Sequence, residues 1–371
     1  MKHFYDLSPA LIALGALALL PVVARATNVS VTNLVTDDQA ANAAQTTDPE
    51  LVNAWGVSYS PTGPFWVSDN GTGLSTLYRV DPTTNATSKL SLVVSIPGDG
   101  AVTGQVFNST PQFNGDPFLF ASEDGTISGW RGALGTTAET LQAASTTNAY
   151  KGTAFADIGG NAYLYAANFA TGTIDVLKGS GAAPALSGSF TDPTLPAAFA
   201  PFNVQNLGGT LFATYAVVGP TGDDVAGAGN GIVDAFDLQG NFVRRIATGA
   251  VLDSPWGLAI APSSFGALAG DLLVGNFGDG KINAFDLSTD SLAGPLTGMD
   301  DNPIVIDGLW ALIPGNGAMA GDSNSIYFTA GPNEESHGLF GVITAVPEPG
   351  TALLVTTGVL GLAASRRRRA N

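Results

Sequence analysis

Carboxylates and carboxamides in this chain gather beside glycines. Asp69 and Asn70 precede Gly71, Glu123 and Asp124 precede Gly125, and Asn276 and Asp279 flank Phe277-Gly278. Asn168 sits in a similar turn, Asp223 and Asp224 lie in the loop GPTGDDVAGAGNG (219–231), and Asn333, Glu334 and Glu335 precede His337-Gly338. Such side chains are hard oxygen donors, and Ca²⁺ takes roughly six to eight oxygens. Asp69, Asn168, Asp223, Asp224 and Asn276 are therefore candidate metal ligands, with Ca²⁺ the cofactor they suit. The 219–231 loop is not an EF-hand, because the spaced acidic ligands and terminal Glu are missing. Glu334, Glu335 and His337 are the residues with which acid–base catalysis would be done. Turn geometry competes with each of these readings. Asn and Asp beside Gly are what tight hairpins require, and a lone loop histidine serves solvation equally well.

Other chemistries are excluded more firmly. Cysteine is absent, which removes disulfides, thiolate metal sites and a Cys nucleophile, and the two histidines are His3 and His337. There is no Gly-x-Ser-x-Gly elbow with a matching triad, no phosphate loop and no dinucleotide fingerprint in a βαβ unit. The formal charge is −17; six of the 14 basic residues and two of the 31 acidic ones lie outside 27–346, leaving 8 against 29. Such a surface repels nucleic acid and anionic lipid, attracts cations and favours solubility outside the cell.

These residues have to be positioned by something, and the chain repeats itself to do so. Residues 251–286 (VLDSPWGLAIAPSSFGALAGDLLVGNFGDGKINAFD) contain three short strand-like runs joined by turn-rich connections. Related units lie within 53–81, 103–130, 151–177, 200–238 and 307–344. Aligning the first strands at Gly56, Gly104, Gly152, Asn203, Gly257 and Ala311 gives steps of 48, 48, 51, 54 and 54 residues. A period near 50 with three or four strands per unit predicts an all-β propeller of six blades, with seven the alternative. The last repeat lacks its outer strand, and the alternating stretch 28–36 (NVSVTNLVT) precedes the first repeat. The N-terminal strand is therefore expected to close the ring against Leu339–Thr344. Residues 37–50 read as a loop, 132–148 as a linker with a short helical turn and 179–201 as an extended connection. If each first strand is innermost, its start shares a face with the tip between the second and third strands. Trp55, Phe202, Asn203, Trp256 and Trp310 would then rim the channel mouth, although Trp at a strand start also packs blades.

The ends carry signals of their own. Residues 1–26 read as a cleaved secretory leader, with an apolar run at 7–23 and Ala24-Arg25-Ala26 as the cleavage site. Residues 27–345 then form the propeller domain and 346–371 a tail. That tail holds Pro347-Glu348-Pro349, a 14-residue apolar run (351–364) and Arg366, Arg367, Arg368 and Arg369. It resembles the PEP-CTERM sorting tail, with an ordinary tail anchor the alternative. The resemblance implies export, transient membrane retention through the tail alone, processing by an exosortase-type enzyme and a Gram-negative, exopolysaccharide-making bacterium. The core motifs NAWGVSYSPTGPFWVSDNGTG, YAANFATGTIDV, LLVGNFGDGKINAFD and AGPNEESHGLFG resemble a family of secreted bacterial propellers to which no activity is attached. A more distant similarity is to NHL and gluconolactonase-type six-bladed propellers. Together these imply a cell-surface, non-enzymatic binding or scaffold protein, with exopolysaccharide or an envelope protein as partner. The alternative they imply is a cation-dependent hydrolase or lactonase.

Overall fold

The computed structural model describes residues 28–346; the expected leader (1–26) and the tail residues Pro347, Glu348, Pro349 and Arg366 to Arg369 lie outside them. Six sheets follow one another around an axis. Blade one comprises Ala54–Ser58, Phe65–Asp69, Leu74–Val80 and Thr87–Ser95. Blade two comprises Val102–Phe107, Phe118–Ser122, Ile127–Trp130 and Glu139–Gln142. Blade three has three strands, Tyr150–Ile158, Asn161–Asn168 and Thr173–Lys178. Blades four and five begin at Phe199–Leu207 and Pro255–Ile260 and each has four strands. Blade six contains Leu309–Pro314, Ile326–Ala330 and Leu339–Ala345. Val29–Thr36 completes blade six, antiparallel to its third strand from Val29 opposite Ala345 to Thr36 opposite Leu339. The N-terminal strand thus joins the two ends of the ring and removes an exposed edge. Among the described residues no helix is long and apolar enough to cross a membrane.

Two connections differ from expectation. The 132–148 linker carries the short helical turn expected of it, a 3₁₀ turn at Gly132–Leu134, but also supplies the outer strand Glu139–Gln142 of blade two. That strand is short and has no fully buried residue, so it shows no apolar alternation. The 37–50 loop contributes Thr46–Thr47, which pairs in parallel with Val35 and Thr36.

The first strand of every blade is innermost and touches the first strands of its neighbours. Each also carries an irregularity near its start, between Ala54 and Val57, Val102 and Gln105, Tyr150 and Gly152, Pro201 and Asn203, Pro255 and Gly257, and Leu309 and Leu312. A β-bulge re-aims side chains, and these six occupy one structural slot. The glycines after it allow the ring to close. A Cβ on Gly104 would stand 2.6 Å from Thr153 N, and one on Gly257 2.6 Å from Trp310 O. Both atoms belong to the next blade's innermost strand, so a side chain at either position would push two blades apart.

Candidate functional site

The bulges turn side chains from opposite blades into one cluster on the axis. Trp55 of blade one stacks on Trp310 of blade six with ring centroids 3.7 Å apart. Phe202 of blade four and Trp256 of blade five lie 5.9 and 6.0 Å from the same indole. Contacts between blades one and three or between four and six are possible only at the axis. Lys151 of blade three places its Nζ 5.4 Å from the Trp55 ring, a cation–π arrangement. Trp256 Nε1 donates to Lys151 O (3.0 Å). Hairpin tips add Phe277, stacked on Trp310 at 4.0 Å, and Phe169, 5.4 Å from Phe202. Trp55, Phe202, Trp256 and Trp310 are all buried. They therefore form a plug beneath the mouth, with Phe277 half-buried at its edge.

A polar network lies against one side of this plug, with Asn53 at its centre. Its Oδ1 accepts from Trp310 Nε1 (2.9 Å), and its Nδ2 donates to Glu335 Oε2 (2.6 Å) and Asn70 Oδ1 (3.1 Å). Asn70 Nδ2 donates to Glu123 Oε2 (3.3 Å), and Glu123 pairs with Lys151 Nζ. Asn53 has φ +48°, a left-handed conformation that Asn tolerates better than most residues. Glu335 ends a run of three left-handed residues, Asn333, Glu334 and Glu335 at φ 57°, 56° and 64°. Left-handed backbone costs a glutamate roughly 1–2 kcal/mol. The turn is held by Glu335 N donating to Gly331 O (3.1 Å) and Asn333 N donating to Asp307 Oδ2 (2.7 Å). Burial pushes the Glu335 carboxyl above the usual range, helped by the charges of Glu123 and Asp224 and opposed by the bond from Asn53 and the charge of Lys151. Burial also raises Asp224, against a hydrogen bond from Ser254 and the charge of Lys151. Three carboxyl groups from blades two, four and six thus act on one lysine.

The other candidates fall elsewhere. Glu334 is exposed, and His337 Nδ1 meets Asp37 Oδ2 at 2.8 Å, fastening the last hairpin to the N-terminal segment. Asp223 is exposed and bonded by Thr221 within its own loop. Asp69, Asn168 and Asn276 occupy one equivalent position, opposite Ala54, Tyr150 and Pro255, and so stand on separate blades. Asn168 bonds Asn148, Asp175 and Ala149 N, and Asn276 bonds Val251 O and Asp279. Asp69 is fully buried, and burial holds its carboxyl well above the usual range. The neighbouring Thr76 hydroxyl donates to Tyr78 Oη (2.9 Å). Asn203 is buried, its Nδ2 donating to Trp256 O (2.8 Å). Among the described residues no three His, Cys, Asp or Glu stand close enough to hold a metal ion by themselves. Lys151, Phe169 and Phe277 were not among the sequence candidates. The signal for Lys151 was present: it precedes Gly152 as Trp55 precedes Gly56 and Trp256 precedes Gly257.

Comparisons with known proteins fit this architecture. Residues 345–369 match the PEP-CTERM protein-sorting motif. An uncharacterised protein of Acanthamoeba polyphaga mimivirus is 31% identical over 325 residues, covering 81% of this chain and 77% of its own. A second from the same virus is 30% identical, covering 79% and 80%. Among solved structures, a glucose dehydrogenase superposes with a TM-score of 0.53 at 12% identity, over 86% of this chain and 100% of its own. An α-L-arabinofuranosidase of Fusarium graminearum superposes with a TM-score of 0.52 at 10% identity, over 85% and 97%. These two share the fold alone.

Proposed function

The chain belongs to one protein family with the two mimivirus proteins, and from its sorting motif and its plugged ring we propose that it is a binding propeller of the cell surface. The motif indicates export and exosortase-dependent sorting toward the cell envelope. The ligand proposed is a hydroxyl-rich envelope polymer, with exopolysaccharide the first candidate. One observation carries this reading. The channel is shut by stacked aromatics directly beneath a mouth of linked amides and carboxyls. Amides and carboxyls offer both donors and acceptors to sugar hydroxyls, and the exposed edge of Phe277 offers an apolar surface. The plug leaves room for surface recognition and none for passage through the ring.

Affinity electrophoresis of the exported protein in gels containing exopolysaccharide from the producing strain tests this. Retardation should be lost in Glu335→Gln and Glu123→Gln. Migration that ignores the polymer in the wild type, or retardation untouched in both variants, overturns it. Binding to an envelope protein instead would appear as capture without any polymer. The hydrolase reading keeps one specific support, a half-buried glutamate with a raised pKa beside a lysine. Lactone turnover that needs Ca²⁺ and vanishes in Glu335→Gln would favour it over simple binding.

A further inference from the structure

Beneath the plug the channel reopens toward the opposite face as a well of about 320 Å³, walled by the distal halves of the innermost strands. This size sits at the low end of the roughly 300–1,000 Å³ typical of small-molecule sites. Trp256 forms part of its floor, and Tyr59, Phe107 and Phe155 part of its wall. No residue of the lining carries a formal charge, in a molecule whose formal charge is −17. An ion placed there would lose hydration and gain no counter-charge.

The wall also holds unused polar groups. Ser58 Oγ, Gln105 Oε1 and Thr153 Oγ1 are buried without a hydrogen-bonding partner. Their side chains belong to residues only 6%, 5% and 6% exposed. The orientation of Gln105 is fixed, because its Nε2 donates to Gly56 O (2.9 Å) and Trp66 O (2.7 Å), which leaves Oε1 as the spare acceptor. The Gln205 amide, on the same wall, bonds no group among the described residues. These three atoms sit just behind the wall, and an occupant meets the two hydroxyls after a side-chain rotation, whereas the half-buried Gln205 amide stands open to the well and is free to donate and accept.

We propose that this well is a second binding site, distinct from the near-face mouth, for an uncharged polyol of about monosaccharide size. Hydroxyl groups satisfy spare amide oxygens and hydroxyls alike, and the aromatic wall suits the C–H faces of a sugar ring. The inference does not depend on the reading of the mouth, which lies on the other side of the plug.

The test is calorimetric titration of the full chain in a detergent without a sugar headgroup. The probes are glucose, xylose, galactose and myo-inositol, with glucuronate as the charged control. At least one neutral probe should bind, and glucuronate at least tenfold more weakly. Gln205→Trp, which breaks no internal bond, should fill the well and abolish binding. Ser58→Ala and the near-isosteric Thr153→Val should each weaken it roughly three- to tenfold, about what one net hydrogen bond is worth. Glu335→Gln and Glu123→Gln should leave it unchanged, so failure of the mouth reading and failure of this one are separable. Absence of heat with every neutral probe would mean that the well holds ordered water only and overturns the proposal. Binding indifferent to Gln205→Trp and Thr153→Val overturns it too, as does equal binding of glucuronate.

Discussion

Asn53→Asp is nearly isosteric, yet it should turn the mouth from an attractive network into a pH-dependent fault. The acceptor for Trp310 Nε1 survives, because a carboxylate oxygen replaces the amide oxygen. The two donations from Nδ2, to Glu335 at 2.6 Å and Asn70 at 3.1 Å, do not. A hydrogen bond to a charged group contributes about 1.5–3 kcal/mol and a neutral one about 0.5–1.5. Their loss alone therefore destabilises by about 2–4.5 kcal/mol, before carboxylate–carboxylate repulsion is added. Acid reverses most of this, because one proton shared between the introduced carboxyl and Glu335 restores a donor. The wild-type Glu335 carboxyl is already raised in the folded state. Its favourable contribution is therefore complete at low pH and lost as pH rises through the folded pKa, and the variant steepens that loss. Equilibrium urea unfolding of wild type and variant at pH 5 and pH 8 measures the difference. A deficit of similar size at both pH values would refute the argument, since a purely steric or packing defect has no reason to titrate.

Three further outcomes are expected. Arg245 lies between the buried carboxyls of Asp192 and Asp234, and burial pushes Asp234 up to about 7 while Asp192 is lowered; Asp234 contributes stability that is complete below about pH 4 and lost toward pH 7, so Asp234→Asn should flatten the stability profile across that window, and an unchanged slope counts against it. Thermal melts in EDTA, Ca²⁺ and Mg²⁺ at fixed ionic strength should show the largest rise with Ca²⁺, reduced in the Asp223→Ala, Asp224→Ala double variant; three equal midpoints would leave the acidity as a solubility device. Neutral residues in place of Arg366 to Arg369 should disturb membrane retention and sorting, read by fractionation, and normal processing of that variant would remove the mechanical basis of the tail.

The ring was legible because its physics is repetitive. Gly56, Gly104, Gly152 and Gly257 recur where neighbouring innermost strands press together, so the repeat in the sequence marks a steric demand of closure. The closing strand was legible for a similar reason, since an unpaired third strand at Leu339–Ala345 leaves an edge. The candidate site was less so. Asp69, Asn168 and Asn276 look like ligands at a mouth, yet their backbone position at the end of the second strand sends them into turns or between blades. The residue after each, Asn70, Phe169 and Phe277, is the one that reaches the axis. A shift of one residue in a strand exchanges its two faces, and hairpin composition alone does not reveal that phase. The left-handed turn at Asn333–Glu335 left no trace either, because glutamate has no preference for that backbone and tertiary bonds impose it.

The six bulge positions explain why a symmetric ring has an asymmetric mouth. Four hold aromatics that meet one another, Trp55, Phe202, Trp256 and Trp310, and a fifth holds Thr103, bonded to Tyr150 O (2.7 Å). The sixth holds Lys151, which sets a cation beside the plug and draws Glu123 to it. Glu335 and Asp224 complete the group, but burial raises both, so part of this carboxyl cluster keeps its protons to higher pH than free carboxylates do. A protonated carboxyl donates a hydrogen bond, whereas a calcium site needs it ionised. Lys151 further opposes a second cation at the same place. The raised carboxyls and the Lys151 ion pair both work against a bound cation at the mouth, which agrees with the hydroxyl-bearing ligand proposed above. Any calcium effect would then originate away from the axis, with the exposed Asp223 loop the place to look for it.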